Sequence, residues 1–121
     1  MFTATRRRLG VVQAPENAVA VEDSASGVGS ASNANVGFIV GYVGGTHVAP
    51  SLKESHARML MRGERATSGR GAEIVIEDMK DLATLVAFFA QQRKLGNTAP
   101  FVFPPELGLV GTFFLPQADN P

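Results

Sequence analysis

The sequence predicts an α+β domain, in which one amphipathic helix packs on a mostly antiparallel β-sheet or a small β-sandwich. Three observations predict this fold class. Residues 72–77, AEIVIE, have the β-branched composition of a strand, and residues 79–95 have the apolar spacing and end signals of a helix. Residues 100–116 then contain two short runs rich in Phe and Val, divided by two prolines that favour an edge strand or a turn.

Length and composition predict a single globular domain. The chain has 121 residues and a mass of 12.8 kDa, which is enough for one hydrophobic core. Hydrophobic residues make up 45% and charged residues 18%, a balance that argues against both disorder and a membrane protein. The 11 basic residues equal the 11 acidic ones, so the whole protein has no field that attracts polyanions. The absence of cysteine excludes disulfides and thiolate sites.

The N-terminal part is predicted to differ from the rest of the chain. Residues 1–35 are expected to form a flexible or extended arm, and residues 36–121 to form the α+β domain. Within the arm, residues 23–35, DSASGVGSASNAN, have small polar side chains without periodicity, which is typical of a loop or linker. The stretches LGVVQ and AVAVE before it are candidate short strands.

Two interpretations remain open for residues 51–62. Ser51 and Glu54 fit a helix capping box, and the spacing of the apolar residues after it roughly fits one helical face. The alternation in HARMLMRGE, residues 56–64, indicates a half-buried strand instead. We favour the strand, because the turn signal TSGRG and the strand AEIVIE follow and would close an antiparallel hairpin.

The helix at about 79–95 has signals along its whole length. Asp78 is a candidate N-cap, Arg93 and Lys94 lie in the last turn, and Gly96 is a stop signal. An apolar stripe at i, i+3, i+4 and i+7 spacing is expected to face the sheet and consists of Leu82, Leu85, Val86 and Phe89.

No catalytic, cofactor or metal site is predicted. His47 and His56 have no carboxylate at metal-ligand spacing, and the glycine-rich stretches lack the lysine of a phosphate loop. An enzyme would require Glu73 to share a cleft with one of these histidines. The sequence therefore predicts a protein that is not an enzyme and has no evident small-molecule substrate.

Arginines are the residues most suited to binding a partner. Their planar guanidinium groups pair with carboxylates and are enriched at protein interfaces. A nucleic-acid groove would need interleaved aromatic residues, which this sequence has elsewhere, so nucleic acid is the weaker alternative. The candidate interface residues are Arg6, Arg7, Arg8, Arg58, Arg62, Arg65 and Arg70.

Residues 72–115 also resemble a known family. The order of the strand AEIVIE, an acidic cap, the helix LATLVAFFAQQ and the segment APFVFPPE resembles the β-α-β unit of small tail-tip and distal tail proteins of tailed bacteriophages. The resemblance implies a non-catalytic, oligomeric component of a phage tail, neck or connector, bound to copies of itself and to other structural proteins. Such a protein is expected in the virion after assembly in the host cytoplasm, or otherwise in the cytoplasm. A small soluble adaptor or ligand-binding domain is the alternative.

Overall fold

A computed structural model describes residues 15–45, 49–110 and 112–114 of the chain. Strands and helices alternate along most of these residues. The strands are β1 (Val19–Glu22), β2 (Phe38–Tyr42), β3 (Ile74–Ile76) and β4 (Thr112–Phe114), and the helices are α1 (Ala25–Asn33), α2 (Lys53–Arg62) and α3 (Lys80–Lys94). No helix in the described part of the chain is long and apolar enough to cross a membrane.

The sheet is mainly parallel, and the predicted antiparallel sheet or β-sandwich is wrong. The strand order is β1-β2-β3-β4, with β1, β2 and β3 parallel and only β4 antiparallel to its neighbour. The physical reason is that helices α1 and α2 connect the parallel strands, whereas the prediction assumed tight turns. The fold is therefore an α+β arrangement of three helices on a small sheet.

Helix α1 replaces the loop that was predicted for residues 23–35. Ser24 caps the helix, since its Oγ accepts a hydrogen bond from the Gly27 N–H at 3.1 Å. Val28 and Ala31 are fully buried against the sheet. Gly29 lies so close to the Arg65 backbone that a Cβ atom there would be 2.7 Å from the carbonyl oxygen. The close packing of α1 against this loop therefore requires a small residue such as Gly29. Residues 1–14 of the predicted arm lie outside the described residues.

Helix α2 shows that the strand favoured for residues 51–62 is also wrong. The helix begins at Lys53, after a short 3-10 turn at Pro50–Leu52, and Ser51 does not cap it. It buries Ala57 and Leu60, which are three residues apart and so lie on one helical face. It ends at Gly63, whose φ of 66° is the left-handed conformation typical of a helix C-terminus.

The sheet is covered on both faces by separate hydrophobic clusters. One cluster joins α1 and α2 to the face that carries Ala20, Ile39 and Val75. The other joins α3 to the opposite face and consists of Phe38, Val40, Ile74, Ile76, Leu85, Phe88, Phe89 and Phe101. Burial on both faces explains why the strand sequences FIVGY and IVI are continuously apolar rather than alternating.

Helix α3, at Lys80–Lys94, lies where the sequence predicts a helix, but its buried face is rotated from the predicted one. Val86 is 42% exposed, whereas Phe88 is buried together with Leu85 and Phe89. The first turn contains Asp81, whose carboxylate is fully buried. This carboxylate accepts a hydrogen bond from the Val110 N–H at 2.8 Å. This bond holds the C-terminal segment beside α3 before it enters β4.

Candidate binding groove at the amino edge of the sheet

The carboxyl ends of the parallel strands are the first place to look for a site. In open α/β sheets, ligands bind where successive connections leave to opposite faces. That arrangement occurs here between β2 and β3, since α2 and α3 pack on opposite faces. However, a Cβ atom on Gly44 would lie 2.2 Å from the Glu77 carbonyl oxygen, and the Val43 N–H donates to the Ile76 carbonyl at 2.9 Å. Between these described residues, direct backbone packing therefore fills the crevice.

Two acidic residues, Glu22 and Asp23, lie at the carboxyl end of β1. Partial burial, together with the charge of Asp23, raises the pKa of the Glu22 carboxyl above its ordinary value. His56 of α2 approaches the same loop, with its Nε2 atom 2.8 Å from the Asp23 carbonyl oxygen. His47, the other histidine of the chain, lies outside the described residues.

The opposite, amino edge of the sheet has an open groove. It consists of two adjoining hollows of about 350 Å³ and 270 Å³ that share Arg70, Ala99 and Phe101. We call them together the amino-edge groove. Its walls also include Met61, Ala72, Pro100 and Phe103 in the first hollow, and Glu16, Asn35, Phe89 and Arg93 in the second.

An ion pair between Arg70 and Glu73 lies in the groove. The Arg70 Nε atom is 2.8 Å from Glu73 Oε2, and an Nη atom is 3.0 Å from Oε1, which is a bidentate geometry. The guanidinium group also donates to the carbonyls of Val36 and Gly37, at 2.7 Å and 3.2 Å. Glu73 in turn accepts the Ile39 N–H at 2.7 Å. The pair thus fixes the amino ends of β2 and β3 relative to each other.

Glycines around Arg70 allow its segment to approach α2. A Cβ atom on Gly71 would lie 2.4 Å from the Met61 carbonyl oxygen, so no larger residue fits this position without movement. The Ala72 N–H donates to the Leu60 carbonyl at 2.9 Å, which fixes the chain just before β3. The GRG sequence therefore places the arginine at the edge of the sheet.

Aromatic rings form the other wall. Phe101 is buried, and its ring is nearly perpendicular to that of Phe38 at a centroid distance of 5.6 Å. Phe103 packs on Phe88 at 5.1 Å. Val102 lies between them and is 86% exposed, because successive side chains of this extended segment point in opposite directions. The groove consequently continues onto an exposed apolar surface.

The predicted interface arginines have several different environments. Arg58 and Arg62 lie on the exposed face of α2, where they pair with Glu54 and Glu64. Arg65 lies in the loop after α2, where its backbone and Cβ atom pack against α1. Arg70 lines the amino-edge groove. Arg6, Arg7 and Arg8 lie outside the described residues.

The structure separates Glu73 from His56, the described histidine that an enzyme site would pair with it. Glu73 precedes β3, while Glu77 and Asp78 follow it, and His56 contacts the loop after β1. Glu73 and His56 are therefore at opposite edges. Within the described residues, no group of three His, Cys, Asp or Glu side chains is placed to hold a metal ion.

Sequence reasoning missed the role of Glu73 and of the aromatic wall. The available signal was the sequence GRGAE, in which an arginine and a glutamate three residues apart both precede a buried strand. Comparison with protein-family models, with curated proteins and with solved structures gives no match for this chain. The resemblance to phage tail proteins therefore stays a prediction.

Proposed function

We propose that this protein is a non-catalytic structural protein that assembles with copies of itself and with other structural proteins. The amino-edge groove and the apolar surface beside it support this proposal. Val102, between two aromatic residues of the groove, is 86% exposed, and Leu95, at the end of α3, is 63% exposed. Exposed apolar residues beside a groove are typical of a protein interaction surface.

The charges of the groove favour a polypeptide ligand over a polyanion. In the groove, the Arg70 guanidinium is paired with Glu73, and Arg93 shares the second hollow with the acidic Glu16. These paired charges leave little net positive field to attract phosphate groups. A phage tail or neck component, located in the virion, is the particular assembly that we propose, on the basis of the sequence resemblance.

The test measures mass in solution, by sedimentation velocity, for the wild type and for two matched variants. We expect the wild type to form a discrete oligomer. Val102→Asp is expected to reduce the oligomer, because it places a charge on the exposed apolar surface beside the groove. Leu52→Asp is the control, since Leu52 is 58% exposed and precedes α2, away from the groove.

A strictly monomeric wild type at about 1 mM, where even contacts worth about 4 kcal/mol would be populated, would contradict the proposal. The volume of the first hollow, about 350 Å³, supports the second candidate, a small adaptor or ligand-binding domain, because small-molecule pockets begin near this size. That candidate predicts a monomer that binds an apolar fluorescent dye, with binding lost in Phe103→Asp.

A further inference from the structure

Strand β1 is the outer strand of the sheet. It pairs with β2 on one side, and no strand among the described residues lies on its other side. The Phe38 N–H donates to the Ala18 carbonyl, and Val19 is the partner of Phe38 in the parallel register. In this ladder the backbone groups of Val19 and Val21 point away from β2. An apolar outer strand whose backbone groups point outward is a template for a further strand.

We propose that two copies of this chain pair through β1, antiparallel across a two-fold axis at Ala20, so that two sheets become one. Val19 then lies opposite the partner's Val21, and Val21 opposite the partner's Val19. Each of these pairs exchanges two backbone hydrogen bonds, which gives about four in all. The proposal rests on the function proposed above, because it names one surface, separate from the groove, through which two copies of the assembling protein associate.

The side chains of β1 suit this two-fold pairing. Ala20 faces the partner's Ala20 in the close, non-hydrogen-bonded position, where a small side chain avoids a clash. Val19 and Val21 are only partly buried on the α3 face, so pairing would bury more of both. A two-fold interface requires a self-complementary surface, and a short strand of small and apolar residues provides one.

The two ends of β1 differ in charge. Glu22 and Asp23 make the carboxyl end acidic. At the amino end, Arg93 donates to the Asn17 side chain at 3.0 Å, although Glu16 offsets part of that positive charge. Antiparallel pairing brings the acidic end of each copy to the Arg93 end of the other. Parallel pairing would instead place Glu22 and Asp23 beside the same residues of the partner.

Cysteine cross-linking tests the pairing directly, because the chain has no cysteine. In Ala20→Cys, the only two thiols of a dimer would face each other at the two-fold axis, within disulfide range. We expect this variant to form a covalent dimer under mild oxidation. The control is Ala83→Cys, on the exposed side of α3, which is expected to cross-link at least about tenfold more slowly because only random collisions join it.

A second variant, Val21→Pro, removes the outward N–H of β1 and keeps the N–H groups that bond to β2. Proline is tolerated on an outer strand at such a position. We expect the dissociation constant of the dimer to rise at least about tenfold, because each partner loses a hydrogen bond to a buried carbonyl. Circular dichroism checks that the variant folds. If it does not fold, the cross-linking of Ala20→Cys alone tests the pairing through β1.

The outcomes separate this inference from the proposed function. An oligomeric wild type whose Ala20→Cys variant cross-links no faster than Ala83→Cys overturns pairing through β1 and leaves assembly intact. A monomeric wild type overturns both. Cross-linking of Ala20→Cys only after deletion of residues 1–14 also overturns the inference, because the chain's own N-terminal segment, with its predicted strand LGVVQ, then covers β1.

Discussion

At the scale of single residues, the arginine with the clearest role is Arg70, and that role is internal. The sequence predicts it as an interface residue, because composition cannot reveal partners that lie far along the chain. Its carbonyl acceptors, Val36 and Gly37, precede it by 34 and 33 residues. The side chain of its carboxylate partner, Glu73, is only 8% exposed. In the sequence, Glu73 is simply a polar residue at the end of an apolar strand, and nothing there indicates its burial.

Glu73→Ala is expected to lower the free energy of unfolding by about 3 kcal/mol, because it leaves a largely buried guanidinium group without its carboxylate. The substitution also removes the acceptor of the Ile39 N–H. Glu54→Ala is the matched control, since it breaks a pair whose side chains are 64% and 55% exposed. The control is expected to cost less than about 0.5 kcal/mol.

Urea denaturation of both variants measures the two free energies. Equal losses in the two variants would mean that the Arg70 pair contributes no more than a surface ion pair does.

At the scale of elements, the sequence predicts β1, β3 and α3 in their approximate places and misses α1 and α2. Helix α3 is long enough for its apolar spacing and end signals to agree. Helix α1 has nine residues, with two glycines and three serines among them, and carries little intrinsic helix propensity. Its stability comes from its cap and from burial of Val28 and Ala31, which depend on the sheet.

The dependence of α1 on its cap gives a prediction. Ser24→Ala removes the acceptor for the Gly27 N–H and is expected to lower the free energy of unfolding by about 1 kcal/mol. Ser26→Ala removes a similar, exposed hydroxyl that makes only a long contact of 3.4 Å with Ser24 Oγ, so it is expected to change stability little. Thermal unfolding followed by circular dichroism compares the two. If Ser26→Ala lowered the free energy of unfolding as much as Ser24→Ala does, the loss would not come from the cap, and the prediction would be wrong.

At the scale of the whole molecule, the helical connections between the strands determine that the sheet is mainly parallel, which could not be predicted from the strand sequences alone. Continuously apolar strands are typical of a parallel sheet covered on both faces, and this signal was present in FIVGY and IVI. When α1 and α2 are not predicted, short turns are expected between the strands, and short turns favour antiparallel pairing. The amino-edge groove could not be predicted either, since it joins segments around residues 16, 36, 71 and 101 that only the fold brings together.

The position of β1 and α1 in the sheet leads to a prediction about truncation. The sequence predicts one arm over residues 1–35, but Ala18, just before β1, Ala20 of β1, and Val28 and Ala31 of α1 belong to the same hydrophobic cluster as β2 and α2. Deletion of residues 1–35 therefore exposes one face of β2, and we expect the product to lose cooperative unfolding. Deletion of residues 1–14 leaves all of these residues in place and is expected to keep a cooperative transition. Urea titration followed by circular dichroism distinguishes the two, and a cooperative transition after the longer deletion would mean that residues 36–121 fold without the first strand.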